Sequence, residues 1–304
     1  MGMSDDLKRW VDAGLIDQQT SAAIEAYEAQ RPGLSKVGRG LEAIAYLGAV
    51  LVLTALVAIA AEFWDGLAPW GRFALGVAVA MVLIFAGVLF SRAEDPAFRR
   101  AQMFAWFLSI PAVALAANVA VTQILGVDER YHFVMVSLIT LAAAASLWWV
   151  RPAVLQTIAM GVTSGVAVIA LVTLPEDLPD WSVGVSLASL GVLWMFLTWR
   201  GVLKPTRTSY VLAAIGLLSL GFPDLGQLPW PLLGLAAGLI LMAVSVPLDQ
   251  TVLLGMGVAG LFLYIPVTIF EVFGDSLGVP VALLITGLIL LGVEVATTRL
   301  RRRA

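Results

Sequence analysis

The sequence predicts an all-α fold: a polytopic transmembrane helical bundle of about ten spans, preceded by a short N-terminal helical hairpin. Three observations carry that prediction. Of 304 residues, 60% are hydrophobic and 13% charged, against about 25% charged in an ordinary soluble domain. The apolar residues fall in runs of about 20, the length that crosses a hydrocarbon core about 30 Å thick at 1.5 Å per residue. The basic residues, finally, gather in every second interval between runs.

Composition also narrows the chemistry. There is no cysteine and one histidine, so disulfides, thiolate sites and multi-histidine metal centres are excluded. Residues 1–40 are polar, without the apolar core of a secretory signal. The first membrane run is therefore expected to act as the insertion signal.

Residues 1–33 read as a cytoplasmic helical hairpin. Ser4 is placed to cap a first helix with Leu7, Trp10 and Val11 on one face, and Gly14 is placed to end it in the left-handed conformation. Asp17 is placed to cap a second helix through Gln30, with Ile24 and Tyr27 at helical spacing, and Pro32-Gly33 stops it. Two such helices bury too little to be stable alone. The hairpin is thus either a solvated cap or a module for a cytoplasmic protein partner. Residues 34–40 form a basic linker.

The transmembrane domain covers 41–298, followed by a basic tail, 299–304. The spans fall at 41–61, 72–90, 101–122, 132–150, 153–174, 182–199, 208–222, 230–247, 251–270 and 278–298. With the N-terminus inside, only Arg72 and Arg130 among the basic residues lie outside, as the positive-inside rule requires. Both termini are then cytoplasmic. Two places test the count. The span 208–222 is short and contains Gly216 and Gly221, and the run 230–271 has to turn near Pro247-Leu248-Asp249-Gln250.

The outer loops restart helices with proline and tryptophan: Pro69-Trp70, Pro179-Asp180-Trp181 and Pro229-Trp230. Proline suits the first helical turn and tryptophan the interface. Residues 271–280 (EVFGDSLGVP) echo residues 62–69 (EFWDGLAP) and are expected to form a further outer turn. Acidic residues such as Asp65, Asp128, Glu129 and Asp180 dominate this face. Exclusion of Lys and Arg accounts for that, or else the acids serve to attract cations.

Few residues suggest chemistry. Glu42 and Glu294 are candidate intramembrane acids, each close enough to the cytoplasmic side to meet Arg39 or Arg299. Asn118, Gln123, Gln156 and Thr157 either line a polar path or join helix to helix by hydrogen bonds. Ser164 and His132 stand in the wrong order for a rhomboid-like protease, and the sequence has no HExxH motif. No catalytic residue, cofactor or metal site is expected, nor a nucleic-acid partner; the partner the composition demands is the lipid bilayer.

The stretch Leu7 to Tyr27 (LKRWVDAGLIDQQTSAAIEAY) has a recognisable pattern. Leu7 and Trp10 precede Gly14-Leu15-Ile16-Asp17, and Ile24 and Tyr27 lie beyond them on the second helix. It continues with Ala45-Tyr46-Leu47-Gly48-Ala49 and Trp64-Asp65. This resembles a bacterial predicted-membrane-protein family, the domain of unknown function 2157. The similarity covers residues 5–90. It implies an integral membrane protein and brings no catalytic residues.

The residues support two functional readings, both non-enzymatic. One is a small-molecule transporter with a central path between helices, since ten spans with both ends inside suit two inverted halves, 41–174 and 182–298. The other is a structural or regulatory membrane protein whose N-terminal hairpin recruits a cytoplasmic partner.

Overall fold

The computed structural model describes residues 3–30, 62, 64–92, 96–175, 177–222 and 229–301, and no β-strand occurs among them. The chain divides into two units, Met1–Leu67 and Ala68–Ala304.

In the first unit, helix α1 (Met3–Asp12) and helix α2 (Gln18–Gln30) contact each other across a short turn. The turn is made by the residues that the sequence singles out. Gly14 adopts φ +68°, its amide donates to the Val11 carbonyl at 2.9 Å, and the Leu15 amide donates to the Trp10 carbonyl at 2.9 Å. That pair of bonds is the glycine-ended stop of a helix, available because glycine has no Cβ to clash in the left-handed region. Asp17 then opens α2 by accepting from the Thr20 amide at 2.6 Å. Ser4 lies within α1, which begins one residue before it; it is not the cap that the sequence suggests. The linker 34–40, the first expected span (41–61) and Glu42 lie outside the described residues.

The second unit is a helical bundle. Its helices are α3 (Pro69–Ser91), α4 (Pro96–Val119), α5 (Glu129–Val150), α6 (Val154–Val172), α7 (Trp181–Trp199), α8 (Thr206–Leu218), α9 (Trp230–Ser245) and α10 (Thr251–Arg301). A single wide turn, Ala120–Ile124, continues α4, and a tight one, Ser219–Gly221, finishes α8. Pro69 sits in the first turn of α3, behind an extended Ala68, and Pro231 in the first turn of α9. Neither position needs the amide that proline lacks.

Among the described residues, six segments are long and apolar enough to cross a membrane: Pro69–Ser91, Phe98–Ile124, Glu129–Val150, Val154–Val172, Trp181–Trp199 and Thr251–Glu271. Their outward faces are as apolar as their inward ones. Met81, Val82 and Phe85 on α3 are all exposed, an arrangement that water would penalise and lipid does not.

Consecutive helices pack as antiparallel pairs, so their ends collect at two levels. At one level the turns carry Arg92, Arg151, Arg200 and Lys204; this is the basic end. At the other, Asp128 accepts from the Arg130 amide at 3.0 Å and the Arg130 Nε donates to the Leu174 carbonyl at 3.3 Å. There too the rings of Trp181 and Trp230 stack with centroids 6.3 Å apart. The short α8 runs the length of α7. It starts beside the basic end, and the Ser219 hydroxyl oxygen at its far end lies 3.4 Å from the Gly184 carbonyl, near the opposite end of α7.

Small residues set the closest approaches. A Cβ on Gly191 would stand 2.6 Å from both the Ala213 carbonyl oxygen and the Leu217 amide nitrogen, so α7 and α8 touch backbone to backbone. Between α8, α9 and α10 the core is Tyr210, Ala214, Leu218, Ala237, Leu241, Leu253 and Tyr264. The Tyr264 ring is fully buried and lies against Gly221 and Gly234, where an added Cβ would come within 2.5 Å and 2.6 Å of it. Its hydroxyl donates to the Leu218 carbonyl at 2.6 Å. The chain tightens there into the turn Ser219–Gly221, with the Phe222 amide on the Ser219 carbonyl, and the Tyr264 hydroxyl adds a second element's donor to this helix end.

The α9–α10 turn falls at 246–250, where the sequence places it, with Asp249 at φ +50°. The outer turn expected at 271–280 is not there. Helix α10 runs unbroken from Thr251 to Arg301, a length of roughly 77 Å at 1.5 Å per residue. The segment expected to be a separate span, 278–298, is therefore its continuation. The physical reason lies in the residue types. Gly274 and Gly278 are tolerated inside a helix, and Pro280 removes one backbone bond without forcing a reversal.

The packing and the turn each make a prediction. Gly191→Ala destabilises the detergent-solubilised protein by about 1–3 kcal/mol through overpacking, whereas Gly255→Ala, which meets nothing within 4 Å, leaves it unchanged or more stable; thermal unfolding of the two variants compares them. At the turn, bonds from the Thr20 hydroxyl and amide hold the Asp17 carboxyl below its ordinary value of 3.8. Its folded value lies below its unfolded one, so the cap's contribution is complete above about pH 3.8 and fades as the pH falls through the lowered value. Asp17→Ala raises amide exchange in the first turn of α2 several-fold at neutral pH, and Asp17→Asn keeps the cap but loses its acid sensitivity, both read by hydrogen exchange.

Candidate functional site

The densest polar contacts in the bundle lie at its basic end, where α4, α5 and α6 meet the turn between α7 and α8. Residues Pro152 and Ala153 break the chain out of α5, and extended Ala153 then starts α6. Gln156 and Thr157 therefore fall in its first turn. About 100° apart around the helix axis, they face different neighbours. The Gln156 Nε2 donates to the Met103 carbonyl on α4 at 3.0 Å. The Thr157 hydroxyl donates to the Lys204 carbonyl at 2.8 Å. The Trp148 indole N–H is shared between the Thr157 oxygen at 3.1 Å and the same Lys204 carbonyl at 3.0 Å.

Arg151, in the α5–α6 turn, donates through Nη1 to the Gln102 Oε1. Gln102 is 1% exposed, Gln156 2% and Thr157 0%. The neighbouring turn is anchored by Leu203, buried against Trp194 and Ala213. One tryptophan, one arginine, two amides and one hydroxyl thus tie four segments together. Two atoms in this junction have no protein partner, Gln102 Nε2 and Gln156 Oε1.

The sequence-predicted polar residues do not gather in one place. Gln156 and Thr157 are in this junction. Asn118 lies 15 residues beyond Met103 along α4, about 22 Å away, and is exposed. Gln123 is exposed at the opposite end, where its Oε1 accepts from Arg72 at 3.4 Å. Glu294 lies within the backbone span of α10. Of the N-terminal residues, Leu7 is buried, Ile16 and Ile24 are half-buried, and Trp10, Leu15 and Tyr27 are exposed around Gly14 and Asp17. Leu7, Val11, Asp12, Gln18, Ser21 and Glu25 line a groove of about 380 Å³ between α1 and α2.

Gln102, Trp148 and Arg151 are not singled out by sequence reasoning. Gln102 carries a readable signal, an amide at the very start of an apolar span. For Trp148 and Arg151 the signal is only the interface composition that such spans share.

A second feature is an apolar groove of about 260 Å³ between α6, α7 and α8, at mid-height in the bundle. Gly161, Gly165, Gly191 and Gly216 open it, and Ser164 and Ser219 are its hydroxyl-bearing residues. Both hydroxyls are already engaged, Ser164 with the Gly161 carbonyl at 2.8 Å and Ser219 with the Gly216 carbonyl at 2.6 Å. His132 is elsewhere, its Nε2 2.6 Å from the Val127 carbonyl. Among the described residues no group of histidine, aspartate and glutamate side chains has the geometry to hold a metal ion.

Long apolar helices with apolar outer faces, joined by polar contacts near their ends, define a membrane protein. The comparisons agree. A family model described as predicted membrane protein (DUF2157) matches residues 8–148, taking the similarity from the N-terminal helices through almost all of α5. No curated protein and no solved structure matches the chain.

The junction makes a direct prediction. Thr157→Val keeps the shape but removes the hydroxyl donor, at a cost of about 0.5–1.5 kcal/mol. In lipid nanodiscs this loosens the α7–α8 turn, so trypsin cuts after Arg200 faster than in the unmodified protein.

Proposed function

We propose that this is a non-enzymatic, multi-pass protein of the bacterial inner membrane whose bundle is an anchor and whose N-terminal helices recruit a cytoplasmic protein partner. The observation that carries the reading is the surface of the first unit. Trp10, Leu15 and Tyr27 are exposed on helices α1 and α2 and the turn between them, where no membrane-length apolar run exists to explain them, and a groove lies between those helices. Exposed aromatic and aliphatic side chains in a polar segment are the usual anchors of protein recognition. The bundle supports the same reading, because its buried hydroxyls and amides bond to backbone and to neighbouring helices. Basic residues concentrated in alternate turns support cytoplasmic termini.

A transport reading has one observation in its favour, the groove between α6, α7 and α8. Its apolar lining suits an apolar molecule more than an ion.

The chain has no cysteine, so one engineered thiol reports on both sidedness and recruitment. In intact cells a Leu15→Cys variant is shielded from an impermeant maleimide that labels Asp128→Cys. A permeant thiol-to-amine cross-linker gives a discrete adduct from Leu15→Cys that Trp10→Ala abolishes. Labelling of Leu15→Cys from outside, or the absence of an adduct, would sink the proposal. Filling the groove with Gly165→Leu separates the readings: an anchor keeps its adduct, and a transporter loses uptake.

A further inference from the structure

The two unpartnered atoms at the basic end are complementary. Gln102 uses its Oε1 to accept from Arg151 and leaves its Nε2, a donor, without a partner. Gln156 uses its Nε2 to donate to the Met103 carbonyl and leaves its Oε1, an acceptor. Both side chains are almost fully buried, and Met103 is the residue next to Gln102 on α4. Both amides bridge α4 to the start of α6, Gln102 through Arg151 and Gln156 through the Met103 carbonyl, each with one end used and one end without a protein partner. Neither can be turned over to find a partner. Reversing Gln102 sets its N–H group against the Arg151 N–H, and reversing Gln156 sets its oxygen against the Met103 oxygen.

We propose that the free ends of Gln102 and Gln156 form a binding site for one buried water molecule, which accepts from Gln102 Nε2 and donates to Gln156 Oε1. With the water in place the polar contacts form one directional relay. Arg151 donates to Gln102, Gln102 to the water, the water to Gln156, and Gln156 to the Met103 carbonyl. Every link runs from donor to acceptor. Internal waters occupy sites of this kind, polar and cut off from solvent, where two or more otherwise unsatisfied groups converge. The relay gives the buried amides a role. It pins the α5–α6 turn, which carries Arg151, to the start of α4, so two helical pairs keep a common register at the basic end.

The test has two parts, both on the full chain in lipid nanodiscs. The first is a high-resolution electron cryo-microscopy map of the unmodified protein. Solvent density within hydrogen-bond distance of both amides is the expected result. Amides in direct contact with each other, or free ends facing apart with no density between them, overturn the proposal. The second is a set of variants read by thermal unfolding. Gln102→Leu and Gln156→Leu each lower the midpoint, and the double variant lowers it by clearly less than the sum of the two, because the bonds through the water are lost only once. Additive losses overturn it. Gln102→Glu discriminates further. Its carboxylate still accepts from Arg151, and a water turns both hydrogens outward, one to the new oxygen and one to Gln156. With a water present this variant therefore keeps a midpoint above that of Gln102→Leu. With a direct amide pair two acceptor oxygens face each other, and a midpoint no better than that of Gln102→Leu counts against the site.

Discussion

Hydrocarbon offers no hydrogen bonds, and the rest of the structure depends on that constraint. Each donor and acceptor at membrane depth has to be answered from within the protein. Most buried hydroxyls meet it locally, by donating to a carbonyl three or four residues back on their own helix. Ser109 to Trp106, Ser137 to Val134, Thr198 to Trp194 and Thr268 to Tyr264 all do so. Such residues are polar by composition and satisfied within their own helix. The exceptions are the places where one element answers another: Tyr264 at the end of α8, the Trp106 indole on the Ile84 carbonyl at 3.1 Å, and the junction around Thr157. These cross-helix bonds set the register of the bundle.

Close packing is the second means of cohesion, since lipid tails give helices no hydrophobic reason to associate. The Trp106 indole sits where a side chain on Gly87 would be, with an added Cβ only 2.2 Å from its nitrogen. Glycine there makes room for the ring, and the ring's N–H then reaches a backbone oxygen on α3. Tyr264 repeats the arrangement between Gly221 and Gly234. In both cases a large ring, a glycine and one hydrogen bond work together, and loss of the glycine also removes the bond.

Much of the bundle was legible in the sequence because lipid imposes a length. The spans expected at 72–90, 132–150 and 182–199 match α3, α5 and α7 to within a few residues. The turn chemistry of Gly14 and Asp17 was legible for the same kind of reason: a left-handed stop and a side-chain cap are local events. The turn expected at 271–280 failed because a composition typical of outer loops permits a break without requiring one. The polar site was half legible. Gln156 and Thr157 stand out as amide and hydroxyl within an apolar run, but nothing along the chain says that they face Met103, Trp148 and Lys204. Nor does it say that Asn118 and Gln123 belong elsewhere.

By itself, then, the sequence determined the features set by local and solvent-scale physics. These are an all-helical membrane protein, the length and placement of most helices, the segregation of basic residues, and the stop and start around Gly14 and Asp17. Only the tertiary structure decided which residues meet. The contact of Gln102 with Arg151, separated by 49 positions, and that of Trp148 with the Lys204 carbonyl, separated by 56, depend on how neighbouring helices are rotated about their axes. Hydrophobicity cannot specify that rotation when every face of a helix is apolar. It is fixed by where a glycine admits a ring and where a buried donor finds its acceptor.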